Sequence, residues 1–323
     1  MVENVINPDS LRLEASSACQ LRCPSCPTTT GAAWPVVGRG WLKASDFSAL
    51  LDANPQVRRI ELSNYGEIFV NPQLEEILRL AHERGVALQC DNGVNLNDVS
   101  ERVLEALVRY GVRSLSCSID GATPAVYKQY RVRGDFDRVI ANIRTINRFK
   151  AQYKSSLPLL RWVFIAFGHN EHEIEAARRL ATELGMEFYV KLSWDADFSP
   201  VLDADAVRKA SGTGSATREE FRERHGRDYL EGICGQLWHS PQINWDGKVL
   251  GCCRNFWGEF GGNAFSDGVH AAVNSERMQY ARRMLIGEAP AREDIPCTRC
   301  ELYRGRASTH RWMKIAVAPV QPR

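Results

Sequence analysis

The run Cys19-Gln-Leu-Arg-Cys23-Pro-Ser-Cys26 places three thiols in one short segment near the start of the chain. Thiolates in one loop can ligate one metal centre, and three protein ligands leave one coordination position open. An iron–sulfur cluster held this way has a free iron for a small molecule, whereas a structural zinc ion needs a fourth Cys or His. No further Cys or His lies between Ser10 and Trp41. An incomplete zinc knuckle, or three incidental thiols, is therefore the weaker interpretation.

The composition is that of an ordinary globular protein. The chain has 323 residues, of which 44% are hydrophobic and 25% are charged, enough for one large core or for a large domain with a small one. A net charge of +2 favours neither a nucleic-acid nor a membrane-surface partner. The N-terminal residues do not resemble a signal peptide, and no apolar stretch is long enough to span a bilayer. Ten cysteines then indicate metal ligands in a reducing cytoplasm rather than disulfides.

Short strand-like runs alternate with amphipathic segments from residue 11 to about residue 194. The predicted strands span 11–15, 57–62, 86–90, 112–119, 159–167 and 187–192. The predicted helices span 45–53, 72–84, 99–110, 136–154 and 171–184. The glycines at positions 85, 111 and 185 predict helix C-terminal caps, and Asn170-Glu-His-Glu173 predicts a capping box. The alternation predicts an α/β fold with a parallel sheet. Because there are too few strands for a closed eight-stranded barrel, we expect an open, partial barrel.

The pattern changes after residue 194. Residues 195–232 contain a Gly- and Ser-rich piece and then a charged helix at 218–227, which together predict a linker, or less favourably a lid. Residues 233–323 form a smaller unit, with a β-hairpin at 243–250 around an Asp-Gly turn and a helix at 275–286. The predicted domains are therefore 1–194, 195–232 and 233–323.

The C-terminal unit carries its own set of cysteines. Cys297-Thr-Arg-Cys300 has the spacing of a two-ligand knuckle, and Cys234 and Cys252 flank the predicted hairpin. These four thiolates complete one site, and either zinc or a [4Fe–4S] cluster fits the ligand set. The N-terminal motif favours the cluster. Cys253 is a spare thiol or an alternative ligand in place of Cys252.

The cysteine motif resembles the signature of the radical S-adenosylmethionine (SAM) enzymes, which is Cys-x3-Cys-x2-Cys after a first strand. Leu62-Ser-Asn-Tyr-Gly-Glu67 is similar to the family's Gly-Gly-Glu motif, although Asn64-Tyr65 stands where a second Gly is usual. Asp91-Asn-Gly93 is similar to the family's Thr-Asn-Gly turn after the third strand, with Asp91 in place of Thr.

Later segments resemble one subgroup of that family, which carries a C-terminal SPASM or twitch extension. Ser118-Ile-Asp-Gly121, Tyr127 and the segment 131–137 are similar to the subgroup, and Gly247-x4-Cys252, Gly262-Asn263 and Cys297-x2-Cys300 match the extension in order and spacing. The resemblance covers about residues 11–303. It implies a partial (β/α)6 radical SAM barrel with a small C-terminal twitch/SPASM-like auxiliary-cluster domain.

The resemblance also implies cofactors and their ligands. One [4Fe–4S] cluster that binds SAM would be held by Cys19, Cys23 and Cys26, and an auxiliary [4Fe–4S] cluster by Cys234, Cys252, Cys297 and Cys300. The expected SAM contacts are Gly66, Glu67, Asn92, Ser118 and Arg131. A reductant such as flavodoxin or ferredoxin would deliver the electron that cleaves SAM to a 5′-deoxyadenosyl radical.

The four-ligand spacing is most similar to the twitch-type dehydrogenase that oxidises a secondary alcohol of an aminocyclitol. The favoured expectation is therefore oxidation of a small polar molecule, a sugar or cyclitol, to a ketone, with the auxiliary cluster as electron acceptor. The alternatives are a redox-neutral epimerase with Cys253 as hydrogen donor, a peptide maturase, and an iron–sulfur electron carrier. Residues at strand ends that could face a substrate are Tyr65, Asn92, Trp194 and Asp195.

Overall fold

Within residues 5–314, which the computed structural model describes, eight strands form one sheet. They are β1 (Ser10–Leu13), β2 (Arg59–Glu61), β3 (Ala87–Val94), β4 (Ser114–Ser118), β5 (Leu159–Ala166), β6 (Glu187–Leu192), β7 (Gln242–Ile243) and β8 (Val249–Gly251). Their order across the sheet is β6-β5-β4-β3-β2-β1-β7-β8. Strands β1 to β7 pair in parallel, and β8 runs antiparallel to β7. This confirms the predicted open, parallel α/β sheet.

Helices follow the strands of the barrel in the expected alternation. The α-helices of the barrel are α1 (Pro27–Thr30), α2 (Trp34–Val37), α3 (Ala44–Ala53), α4 (Leu74–Glu83), α5 (Glu101–Arg109), α6 (Pro124–Tyr130), α7 (Phe136–Tyr153) and α8 (Ile174–Glu183). Those of the later chain are α9 (Ala204–Ala210), α10 (Arg218–His225), α11 (Gln236–His239), α12 (Val269–Val273), α13 (Glu276–Leu285) and α14 (Glu301–Thr309). None of the described helices is long and apolar enough to cross a membrane. The long predicted helices are confirmed to within three residues at each end. The helices that were not predicted are α1, α2, α6, α9, α11, α12 and α14.

The two faces of the barrel sheet differ in polarity. Phe188 on β6 faces the helices, since the guanidinium of Arg178 from α8 lies 4.8 Å from the centre of its ring. Alternate residues point the other way. On that concave face Arg161 Nη1 lies 2.8 Å from Asp91 Oδ1, which also accepts a 2.6 Å hydrogen bond from Ser114 Oγ. Three neighbouring strands are thus linked by polar side chains inside the barrel.

The C-terminal hairpin extends the barrel sheet. Strand β7 pairs in parallel with β1, with Arg12 opposite Gln242, and β8 completes the hairpin predicted at 243–250. Between β6 and this hairpin, α9 and α10 bury Val207 and Phe221 in the core. The predicted domain boundaries at 194 and 232 stay predictions, and the part of the last unit beyond residue 314 lies outside the described residues.

The predicted capping box at Asn170–Glu173 is wrong. Asn170 Oδ1 accepts from Phe167 N, and its Nδ2 donates to the carbonyl oxygens of Asp120 and Ile165. Glu173 accepts from Ala122 N at 2.5 Å and from both polar hydrogens of Thr123. Both side chains are buried. They link the loop after β4 to the segment after β5 by hydrogen bonds. The prediction failed because the local spacing of these residues is the same in a capping box.

Glu14 is a buried carboxyl at the end of β1. It is 1% exposed and accepts hydrogen bonds from Tyr65 N at 3.0 Å and from Gly66 N at 3.2 Å. Burial raises the pKa of this carboxyl to about 8, against the opposing effect of those two amides. The folded protein therefore binds this proton more tightly than the unfolded chain does.

We expect Glu173→Ala to lower the free energy of unfolding by about 2–4 kcal/mol, because two backbone amides and a hydroxyl lose a charged acceptor. Glu175→Ala is the matched control, since that side chain is exposed, and it should change stability by less than about 0.5 kcal/mol. Denaturant unfolding of both variants measures the difference. Equal, small losses would show that the Glu173 contacts do not form.

The pKa of Glu14 predicts a pH dependence with a defined sign. A raised carboxyl pKa means that stability is lost as pH rises above the unfolded value of 4.5, until the folded value of about 8 is passed. Glu14→Gln removes this titration. Relative to the unsubstituted protein, the free energy of unfolding of the variant should rise by about 2 kcal/mol as the pH goes from about 6 to about 9. Denaturant unfolding at each pH measures this change. A difference that stays constant over this range would contradict the burial effect.

Candidate active site

The three N-terminal cysteines lie together beyond the end of β1. Cys23 is buried, while Cys19 and Cys26 are half-buried. All three pack in one small cluster with Leu21, Tyr130, Ile165, Phe167 and Phe198. The structure thus brings the predicted ligand set together on an aromatic wall formed by the segment after β5 and the end of α6.

Polar groups meet these sulfurs from two sides. Arg131 Nη1 lies 3.7 Å from Cys23 Sγ, and Arg131 Nε donates to Asp120 Oδ2 at 2.6 Å. Asn95 Nδ2 lies 3.7 Å from Cys19 Sγ. Burial raises the pKa of the Cys19 thiol to about 12 and also raises that of Cys23. Thiolates at these positions therefore need positive charge, which iron supplies when it binds.

The Gly66-Glu67 turn presses against the chain that leads into the cysteine loop. A Cβ on Gly66 would lie 2.3 Å from the carbonyl oxygen of Ser16 and 2.5 Å from that of Ala18. Glu67 N donates to the same Ala18 oxygen at 2.8 Å. The glycine is therefore required for close contact between two backbone segments.

The Glu67 carboxylate is buried beside the cysteine loop. It accepts from Asn95 N at 2.6 Å and from Phe69 N at 3.3 Å. Burial raises its pKa to about 7. Asn95 bonds to this carboxylate through its backbone amide and to Cys19 through its side chain. In the sequence, the only sign of this role is its position just after the Asp91-Asn-Gly93 turn.

Two further predicted SAM contacts, Ser118 and Asn92, lie at or near the ends of β4 and β3. Ser118 ends β4, and its Oγ would lie 2.7 Å from a Cβ on Gly93, so the third strand passes close to it. Asn92 is exposed, and its Nδ2 donates to Asn64 Oδ1 at 2.7 Å.

Trp194 and Asp195, which follow β6, form hydrogen bonds with the cysteine loop at Ser25. Trp194 Nε1 donates to the carbonyl oxygen of Ser25 at 3.3 Å, and Ser25 Oγ donates to Asp195 Oδ2 at 2.5 Å. That hydroxyl lowers the pKa of the Asp195 carboxyl. Both residues thereby contact the residue that precedes Cys26.

The four C-terminal cysteines share one cavity. Cys234, Cys252, Cys297 and Cys300 all line it, together with apolar side chains such as Phe260. Within residues 5–314 no three His, Cys, Asp or Glu side chains are arranged to hold a single metal ion. A four-iron cluster distributes its thiolates over separate irons, so its ligands need not converge in that way.

Cys252 and Cys253 face different sides of their strand end. Cys252 lines the cavity and Cys253 does not. Instead, Cys253 N donates to Gln236 Oε1 at 2.8 Å and its Sγ accepts from Gln236 Nε2 at 3.5 Å. Its carbonyl oxygen accepts from Asn64 Nδ2 at 3.1 Å. Cys253 thus lies outside the cavity, and its carbonyl oxygen contacts the barrel.

Asn64 and Tyr65, which stand where the family usually has glycine, fasten the C-terminal unit to the barrel. Tyr65 is 7% exposed, and its hydroxyl donates to the carbonyl oxygen of Asn255 at 2.7 Å. Its ring centre lies 6.4 Å from that of Phe256, edge to face. Tyr65 therefore packs between the two units rather than lying open to a substrate.

Comparison with known proteins agrees with this arrangement. The radical SAM superfamily matches residues 13–181, and an iron–sulfur cluster-binding domain, SPASM, matches residues 234–301. Two curated relatives are the AdoMet-dependent heme synthase of Methanosarcina barkeri and the GTP 3′,8-cyclase of Chlorobaculum tepidum. The first is 26% identical over 56% of this chain and 49% of its own length, and the second is 30% identical over 70% and 64%. The chain thus spans about half the length of the first of these relatives.

Solved structures share the fold. Streptococcus suis SuiB bound to S-adenosylmethionine superposes with a TM-score of 0.64 at 14% identity, covering 92% of this chain and 71% of that one. At such identity the likeness concerns the fold alone. Since the superfamily match covers more than half of the chain and the second match contains all four cavity cysteines, the protein belongs to the radical SAM superfamily and carries an iron–sulfur cluster-binding SPASM domain.

Proposed function

We propose that this protein is a radical SAM oxidoreductase that converts a secondary alcohol of a small polar molecule, a sugar or a cyclitol, into a ketone. The observation that carries the proposal is the four-cysteine cavity, which supplies a complete thiolate set and adjoins the barrel through Cys252 and Cys253. A centre with all its positions filled by protein is suited to electron transfer rather than to binding substrate.

The donor sets fit the expected cofactors. Cys19, Cys23 and Cys26 would hold the cluster that binds SAM, and the four cavity cysteines would hold the auxiliary cluster. When bound, these groups supply the 5′-deoxyadenosyl radical that removes a hydrogen atom from carbon and the acceptor that takes up the remaining electron. The hydroxyl proton passes to solvent, so the alcohol loses two hydrogens in all. A reductant such as flavodoxin or ferredoxin would supply the initiating electron.

The side chains near the cysteine loop suit SAM. Arg131 and Ser118 would meet its carboxylate or ribose, since Arg131 lies beside Cys23 and Ser118 ends a neighbouring strand. Glu67 would accept from the methionine ammonium while it keeps its two backbone amides. Gly66 would contact SAM through its backbone, and Asn92 would contact it from the rim of the site.

The polar concave face supports a polar substrate. Asp91, Ser114 and Arg161 form hydrogen bonds and an ion pair with one another there, so these side chains favour a polar substrate over an apolar one. Hydroxyl groups, by contrast, can both donate and accept within such a network.

A second candidate is a redox-neutral epimerase. It is favoured by the position of Cys253, whose thiol lies outside the cavity and whose carbonyl oxygen bonds to Asn64 of the barrel. A thiol there would return a hydrogen atom to the carbon radical from the opposite face, and the product would keep the mass of the substrate.

Iron content tests the two ligand sets. The reconstituted protein should hold about eight iron atoms per chain, as expected for two four-iron clusters. The double variant Cys234→Ala, Cys252→Ala should lose about half of them, while Cys253→Ala should keep them all, because Cys253 does not line the cavity. Iron analysis measures both. Zinc in the C-terminal site, or iron loss in Cys253→Ala, would contradict the assignment.

Product mass separates the two candidates. With SAM, dithionite and a panel of aminocyclitols and sugars, an oxidised product should be about 2 Da lighter than its substrate, since two hydrogens leave. Cys253→Ala should still form this product. A product of unchanged mass that carries deuterium from heavy water, and that Cys253→Ala fails to make, would instead establish the epimerase.

A further inference from the structure

A lysine without a partner points into the barrel near Cys253. Lys191 on β6 lies on the face opposite to Phe188, whose ring packs against Arg178 of α8. Over the described residues 5–314, its ammonium makes no hydrogen bond or ion pair within the protein. Burial lowers the pKa of Lys191, and the guanidinium of Arg218 adds to this by repulsion, while Cys253 and Asp120 act in the opposite direction. Lys191 thus holds a charge that this part of the chain does not neutralise.

Arg218 lies beside Lys191. It begins α10, and its Nε donates to the carbonyl oxygen of Leu192 at 3.2 Å. Its guanidinium lies 5.1 Å from the centre of the Tyr229 ring. No carboxylate bonds to it among residues 5–314, and burial lowers its pKa, with Arg254 acting in the same direction.

Arg254 brings a third positively charged side chain to this place. It follows Cys253, and its Nε is buried without a hydrogen-bond partner in the described structure. Its Nη2 lies 3.0 Å from Glu301 Oε2.

The acids near this cluster are already engaged. Glu301 pairs with Arg254, Asp228 pairs with Arg222 at 3.1 Å, and Asp120 pairs with Arg131. Two positive charges, those of Lys191 and Arg218, are therefore left over in a partly dehydrated place, where like charges repel strongly.

The charge of the auxiliary cluster does not account for this excess. Arg254 lines the cysteine cavity, but Lys191 and Arg218 do not. They stand instead on the barrel side, where the Leu192 carbonyl holds Arg218 against the end of β6.

We propose that Lys191 and Arg218, with Arg254 at the rim, bind an anionic group of the substrate, a phosphate or a carboxylate, and so orient the substrate inside the barrel at the end of β6. The inference deepens the proposed function and rests on it, since it assumes that substrate enters the barrel at this point. Phosphate and carboxylate oxygens accept the hydrogen bonds that these cations leave unmade.

Anion binding without turnover tests the proposal. Isothermal titration of the reconstituted, SAM-loaded protein with inorganic phosphate and, separately, with malonate should show binding of at least one, and the tighter of the two identifies the chemistry. Lys191→Met and Arg218→Gln should each weaken it about ten-fold or more. Arg224→Gln, on the same helix but exposed and paired with Glu220, and Lys128→Met, exposed on α6, should bind as the unsubstituted protein does.

Several results would overturn the proposal. These are no binding of either anion, equal weakening in the two control variants, or an equal loss of SAM affinity in Lys191→Met, which would assign the lysine to SAM. Iron content, measured on every variant, excludes loss of a cluster as the cause. The binding experiment forms no product, so its result does not depend on whether the enzyme oxidises an alcohol. Product mass tests the oxidation separately, and failure of one proposal is therefore distinguishable from failure of the other.

Discussion

Backbone contact between the Gly66-Glu67 turn and residues 16–18 is the constraint on which both the sheet and the cysteine loop depend. There is no room for a side chain at Gly66, and the Glu67 amide bonds to the Ala18 carbonyl just before Cys19. Glu14 reaches across from β1 to the amides of the same turn. The first two strands thus set the starting point of the loop before any metal binds, which lowers the entropic cost of gathering three thiols.

A similar short link joins the two cysteine sets. Asn64 accepts from Asn92 and donates to the Cys253 carbonyl, while Tyr65 bonds to Asn255. One dipeptide after β2 therefore contacts both the third strand turn and the strand end that presents Cys252 to its cavity. The side chains of these two residues therefore hold the strand end near Cys252 against the barrel.

Much of this arrangement could be predicted from the sequence, because it depends on local signals. The spacing of the cysteines, the alternation of strands and helices, and the Asp-Gly hairpin are all short-range patterns, and the structure contains each of them. What could not be predicted depends on neighbours distant in sequence. Glu173 bonds to Thr123 from across the sheet, and only the structure shows that Cys252 lines the cavity whereas Cys253 does not. The position of Lys191 within its strand gives no sign of a cationic cluster, because Arg218 comes near it only in the folded structure.

The pairing of β1 with β7 has a consequence for how the chain comes to be folded. The second neighbour of β1 is β7, which lies some 230 residues later in the chain and must be brought up before β1 is paired on both sides. Until then the backbone groups along one side of β1 have no strand to bond with, and an open strand edge invites pairing with another chain. The C-terminal hairpin therefore covers one side of β1, so the domain that carries the four cavity cysteines also closes a strand edge of the barrel sheet.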